Sequence, residues 1–161
     1  MGKLSEVRLV LVFAEPGDPR QGEVHSDIDT ATEFALSSFE SGVSPFHQNV
    51  RRILDLCFPG LSFREQMRYA WLTESVLCSA PSSTAPVRRS IADKCVHSYL
   101  LPQLALFPKA KVAALGSKAQ TRLTAAGINF IPAFAAAPPG CYQNGALESW
   151  KNLAACVRPR R

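Results

Sequence analysis

Two glutamates stand where an apolar run gives way to polar residues. Glu15 closes the run in "VLVFAEPGDP" (residues 10–19), and Pro16-Gly17 turns the chain directly after it. Glu74 follows the apolar part of "YAWLTESV" (residues 69–76). A carboxylate at the end of a buried strand can orient or deprotonate water, or it can accept loop N–H groups where the strand has to stop. If both glutamates face one pocket, one can be held protonated and the two divide acid and base roles. Side chains pointing to opposite faces would end that pairing. His25, His47 and His97 are the only histidines, and His47, beside Phe46, is the best placed to reach a pocket.

The five cysteines are Cys57, Cys78, Cys95, Cys141 and Cys156. Their odd count and the lack of a CxxC pair do not describe a disulfide framework. Reduced thiols in a cytoplasm are the simpler reading. The first ten residues do not have the pattern of a secretory signal, and Glu6 stands where a myristoylation motif needs Ser or Thr. With 47% hydrophobic and 19% charged residues, the 161-residue chain reads as one globular domain rather than a disordered or membrane-spanning one. The domain is expected over residues 1–157, with 158–161 as a loose basic tail. A net charge of +5 allows a polyanionic partner without requiring one.

Several elements must position these residues. Val7–Phe13 ("VRLVLVF") is dense in aliphatic side chains, as in a strand buried on both faces. In "SPFHQNVRRILDLCF", Val50, Ile53, Leu54, Cys57 and Phe58 fall on one helical face, with Arg51, Arg52 and Asp55 on the other. "YAWLTESV" is a second strand. Ser79–Arg89 is a loop rich in turn formers, followed by a helix over about 91–106 that Pro102 should bend. Val112–Leu115 is a third strand. Gly116 is a tight turn, Ser117 and Gln120 form a capping box, and Gly127 ends the helix they open. "INFIPAF" is a fourth strand, and a last helix from Asn144 aligns Leu147, Trp150, Ala154 and Val157. This alternation predicts an α/β fold, a three-layer α/β/α sandwich with a mainly parallel four-stranded sheet. Ligands of such sheets collect at the carboxyl ends of the strands.

The residues at those ends resemble the uracil-DNA glycosylase superfamily, most closely its family-four branch. The resemblance rests on "FAEPG", Pro45-Phe46 before a helix, "WLTESVLCSAP", "CVHSYLLPQLALFPKAKVAALGSKAQTRL" and "AAAPPG". It covers nearly the whole chain. It implies a DNA glycosylase of base excision repair that flips a uracil, or another deaminated or damaged base, into a pocket. Single-stranded DNA would be the easier substrate, because no pairing need be broken.

The resemblance also assigns roles. Glu15 takes the water-handling position before Pro-Gly, although the family-four branch places its acid one residue earlier, at Ala14. Ala14, Pro16 and Gly17 form that motif, and Phe46 matches the base-stacking aromatic. Glu74 replaces the Asn that reads uracil. An ionised Glu only accepts hydrogen bonds, so it suits uracil's carbonyl edge only if protonated. Ala137, before Pro138, replaces a donor His. Arg88, Arg89, Lys118 and Arg122 are candidates for phosphate contact, aided by the helix N-terminus at Ser117. Family-four members hold an iron–sulfur cluster with four cysteines. Only Cys78 and Cys95 match cluster positions, so no cluster is expected. Those two become small apolar fillers or part of a site completed by another chain. The alternative function is a catalytically weak or inactive module on the same fold, binding nucleic acid, a nucleotide or a protein.

Overall fold

The computed structural model describes residues 3–17, 23–77 and 86–158. Four strands form one all-parallel sheet in the order β2-β1-β3-β4. They are β1 (Leu9–Phe13), β2 (Ala70–Glu74), β3 (Lys111–Leu115) and β4 (Ile131–Ala133). Strand β1 lies between β2 and β3, and all five of its residues are buried.

Its alternation divides the core in two. Leu9, Leu11 and Phe13 meet Val50, Ile53 and Leu54 of α2 (Pro45–Cys57) and Trp150 and Leu153 of α7 (Ala146–Val157). Val10 and Val12 meet Val96 and Leu100 on one side, and Ala119 and Leu123 of α6 (Ser117–Ala125) on the other. Helices therefore cover both faces, and the architecture is a three-layer α/β/α sandwich.

The amphipathic stripe of α2 is the one its spacing predicts, with Val50, Ile53, Leu54 and Cys57 buried. Ser44 caps it and Pro45 opens its first turn, where a missing N–H costs nothing. A helix not singled out from the sequence, α1 (Ile28–Ser41), precedes it; Ser38 is the only buried residue among its described positions, so its apolar signal is faint. A single turn, α3 (Phe63–Gln66), leads into β2.

The helix expected over about 91–106 begins earlier and is not uniform. It runs as α4 (Arg89–Cys95), a π-turn over Val96–Leu100, and α5 (Leu101–Ala105). The Leu101 N–H reaches back to the Val96 carbonyl, one residue further than in an α-helix. The wider turn relieves the strain of Pro102, which has no N–H to give and whose ring crowds the preceding turn.

Three expectations need correction. Ser117 and Gln120 form no capping box: Gly116 is the N-cap, and the Gln120 amide donates instead to the Ala133 and Ala114 carbonyls, at 2.9 and 3.3 Å. The fourth strand is only three residues long, because the backbone of Phe134 turns to α7 through the Ser149 hydroxyl, 2.9 Å away. Arg158 is not loose, since its Nε donates to the Leu56 carbonyl at 2.8 Å; residues 159–161 lie outside the described ones. The end of α6 does follow the sequence signal. Gly127 has φ 69°, and the N–H groups of Gly127 and Ile128 return to the Thr124 and Leu123 carbonyls.

Candidate functional site at the carboxyl ends of the strands

From β1 the chain passes to β2 on one side, then crosses to β3 on the other. The carboxyl ends of β1 and β3 therefore flank the point where the winding reverses, the usual place for a ligand crevice in an open α/β sheet. A cleft of about 850 Å³ opens there. Residues 14–17 form one wall and the Gly116–Lys118 turn another. A third, of mixed apolar and polar character, comes from Pro132 to Gly140 with Gln143 and Ser149.

The first wall is rigid for a reason visible in its hydrogen bonds. The β1–β2 ladder continues past the strands, with Ser75 N–H donating to the Phe13 carbonyl and Val76 N–H to that of Ala14. The Ala14 carbonyl also accepts from the Ser75 hydroxyl at 2.6 Å and from Arg122 Nη1 at 2.7 Å. Glu15 follows this anchored carbonyl, and its side chain is only 8% exposed. One carboxylate oxygen pairs with Lys118 Nζ, and the other lies 2.7 Å from Arg122 Nη1. Lys118 and Arg122 are one helical turn apart on α6, so both reach the same carboxylate. Burial alone would raise the pKa of Glu15, but the hydrogen bonds and charges of Lys118 and Arg122 outweigh it and hold the carboxyl below its ordinary value.

The third wall is packed directly on the second. Gly116 has φ 90°, and a Cβ there would stand 2.9 Å from that of Ala135; one on Gly140 would stand 2.8 Å from it. Ala135 thus sits between two glycines, which brings Ala137 and Pro138 to the cleft. Asn49 of α2 ties this segment to the helical layer by donating to the Ala136 carbonyl at 2.9 Å. Ala137 contributes no side-chain donor.

Glu74 and Phe46 are outside the cleft lining, at the neighbouring strand end. Glu74 pairs in register with Phe13, and the Phe46 ring stands edge-on to Phe13 with centroids 5.0 Å apart. Phe46, in the first turn of α2, is half-buried and packed against the core. One oxygen of Glu74, Oε2, is buried with no hydrogen-bond partner among the described residues. Burial, and next the charge of Glu15, push its pKa up to about 8; Arg122 opposes the shift but does not cancel it. At neutral pH Glu74 is therefore predominantly a neutral acid beside an ionised Glu15.

The chain matches no protein-family model and no curated protein.

The four cations divide. Lys118 and Arg122 are turned to Glu15, whereas Arg88 is exposed and Arg89 lies 3.8 Å from Asp93. His47 is engaged with Ser44, at 2.7 Å from its hydroxyl, and with the Phe39 ring. It does not line the cleft, and His25 pairs with Glu23. Cys95 is buried beside Val76 and Ala92 in a small apolar cluster, while Cys78 lies outside the described residues. Among the described residues no group of three His, Cys, Asp or Glu side chains could hold a metal ion, and no helix is long and apolar enough to cross a membrane. The clamp on Glu15 was missed from sequence, although a Lys and an Arg four residues apart after a glycine turn were a signal that could have found it. Ser75 carried none.

Proposed function

We propose that the chain is a DNA glycosylase-like protein that draws uracil, or another deaminated or damaged base, from single-stranded DNA and hydrolyses its N-glycosidic bond. The observation that carries this reading is an ionised Glu15, fixed on an anchored strand end at the head of a cleft. A clamped carboxylate of lowered pKa is a weak base. Its contribution is to orient water and to stabilise the cationic sugar as the base departs.

Glu74 gains a role that an ionised glutamate could not fill. A neutral carboxyl both donates and accepts, as an amide does, and can meet a carbonyl and an adjacent N–H on a pyrimidine edge. Phe46, half-buried at the same strand end with the buried Phe13 ring edge-on to it, is offered as the stacking ring. The resemblance of "FAEPG", Pro45-Phe46 and "AAAPPG" to uracil-DNA glycosylases supports the substrate class. The cytoplasm, where thiols stay reduced, is the proposed compartment, and no cofactor is invoked.

One observation favours a second reading, binding without turnover. Ala137 offers no donor to the departing base, and losing one such donor typically costs about 10²–10³ in rate. The test is alkali-induced strand cleavage of single- and double-stranded oligonucleotides carrying uracil, hypoxanthine, xanthine or hydroxymethyluracil, with Glu15→Gln in parallel. Product that disappears in the variant supports excision. Oligonucleotide binding that survives Glu15→Gln, with no abasic product from either protein, supports the binding module.

A further inference from the structure

Arg122 also lines a second cavity, of about 160 Å³, which opens between α6 and the stretch where α4 enters its π-turn. The polar side chains around it are Arg89, Asp93, His97 and Arg122, over a floor of alanine and valine. Arg89, Asp93 and His97 recur at four-residue intervals, so one helical face presents all three.

The donors are only partly used. Arg122 spends Nη1 on the Ala14 carbonyl, the Ser75 hydroxyl and Glu15. Its Nε and Nη2 have no partner among the described residues. Arg89 keeps Nε near Asp93 at 3.8 Å, a loose contact that leaves the outer edge of its guanidinium open. Two guanidinium groups and an imidazole therefore face a cavity that holds a single carboxylate. It is too small for a nucleoside and large enough for a tetrahedral oxyanion. Planar guanidinium donors suit phosphate oxygens in pairs.

We infer that this cavity is a phosphate-binding subsite, with Arg89, His97 and the free edge of Arg122 as its donors. Two sources share that chemistry: a phosphodiester in a nucleic-acid strand, and a terminal or free phosphate. The subsite goes beyond base excision and does not depend on it. Because Arg122 serves both places, an anion here draws on the same guanidinium that holds Glu15, and the two sites are coupled.

The experiment is a titration of the full chain with inorganic phosphate, in constant chloride, followed by NMR at the His97 ring and the arginine Nε–H groups. Saturable shifts at Arg89, His97 and Arg122 are expected. Arg89→Gln and His97→Gln should each weaken binding on the order of tenfold, as befits loss of one charge-assisted hydrogen bond. Both side chains are exposed, so the fold should survive either change. Oligothymidylate with and without a 5′-phosphate is then used as competitor. Competition by both forms assigns the site to strand phosphodiesters. Competition by the phosphorylated form alone assigns it to terminal phosphate, and competition by neither assigns it to the free ion; each upholds the subsite. Absence of a saturable shift, or affinity unchanged in both variants, overturns it. A chain that binds phosphate here yet releases no base would uphold this subsite while the excision reading failed.

Discussion

The ends of β1 and β2 carry the same side chain in opposite states. Glu15 and Glu74 differ by no chemistry of their own and stand at the ends of neighbouring paired strands, Glu74 as the last residue of β2 and Glu15 two residues past β1. At β1, α6 delivers an ammonium and a guanidinium onto the carboxylate, and the buried group stays charged. At β2, Phe13 is the register partner and Glu74 forms no ion pair among the described residues, so burial wins and the proton stays on. Burial by itself therefore predicts nothing about charge; the side chains that arrive with it decide. The two states also reinforce each other, since the charge on Glu15 is one cause of the proton on Glu74. A site with one ionised and one neutral carboxyl has both acid and base character at one pH.

The change expected to disturb this contrast most is Arg122→Ala. It strands Glu15 with Lys118 alone and removes one of the three donors to the Ala14 carbonyl. Removing one partner of a buried pair typically costs about 3–5 kcal/mol, and the lower end applies because Lys118 remains. Urea denaturation should show it, and the same variant should abolish any base release.

Glu74→Gln comes next and sharpens the comparison through pH. The folded pKa of Glu74 is raised, so the native state binds more protons than the unfolded chain between the ordinary carboxylate range and about pH 8. Its contribution is complete below the unfolded pKa and is lost as pH rises through the folded one. Glu15 has the reverse sign: its lowered pKa adds stability above the ordinary range, and that is lost as pH falls through the folded value. Thermal melts should place Glu74→Gln several degrees above the parent at about pH 9, with the gap closing towards pH 4. Equal melting temperatures throughout would deny that Glu74 is held neutral.

Gly116→Ala should cost about 1–3 kcal/mol, because φ 90° is strained for alanine and the added methyl meets Ala135 at 2.9 Å. The shifted wall should weaken oligonucleotide binding as well, read by fluorescence anisotropy. Lys118→Ala is the mildest. The lysine side chain is 51% exposed, and such pairs are worth less than about 1 kcal/mol. A larger loss would mean that Lys118, and not Arg122, holds Glu15 ionised.

The sheet was legible in the sequence because its strands are short, apolar and separated by strong punctuation, as "VRLVLVF" and the Gly116 turn illustrate. The stripe of α2 was equally plain. Helix α1 was not, since only Ser38 is buried among its described positions and Phe34 is 40% exposed, which blurs the period. The capping box failed because the helix begins one residue earlier than that box requires: Gly116 is the N-cap and has no side chain to close a box, and the Gln120 amide donates to the Ala133 and Ala114 carbonyls instead. At the site, the position of Glu15 could be read from a strand followed by Pro-Gly, but its charge state could not. That depends on residues more than a hundred positions away, and on whether Lys118 and Arg122 point to solvent or inward. The protonation of Glu74 was open for the same reason, because it is set by what packs around the end of β2.

The most direct test of the account is a ¹³C NMR titration of the glutamate side-chain carboxyls between about pH 2 and pH 10, with Glu15 and Glu74 assigned by substitution. Glu74 should titrate near pH 8 and Glu15 below the ordinary carboxylate range, so that the pair differs in charge at neutral pH. Two carboxyls titrating together near the ordinary value would contradict it.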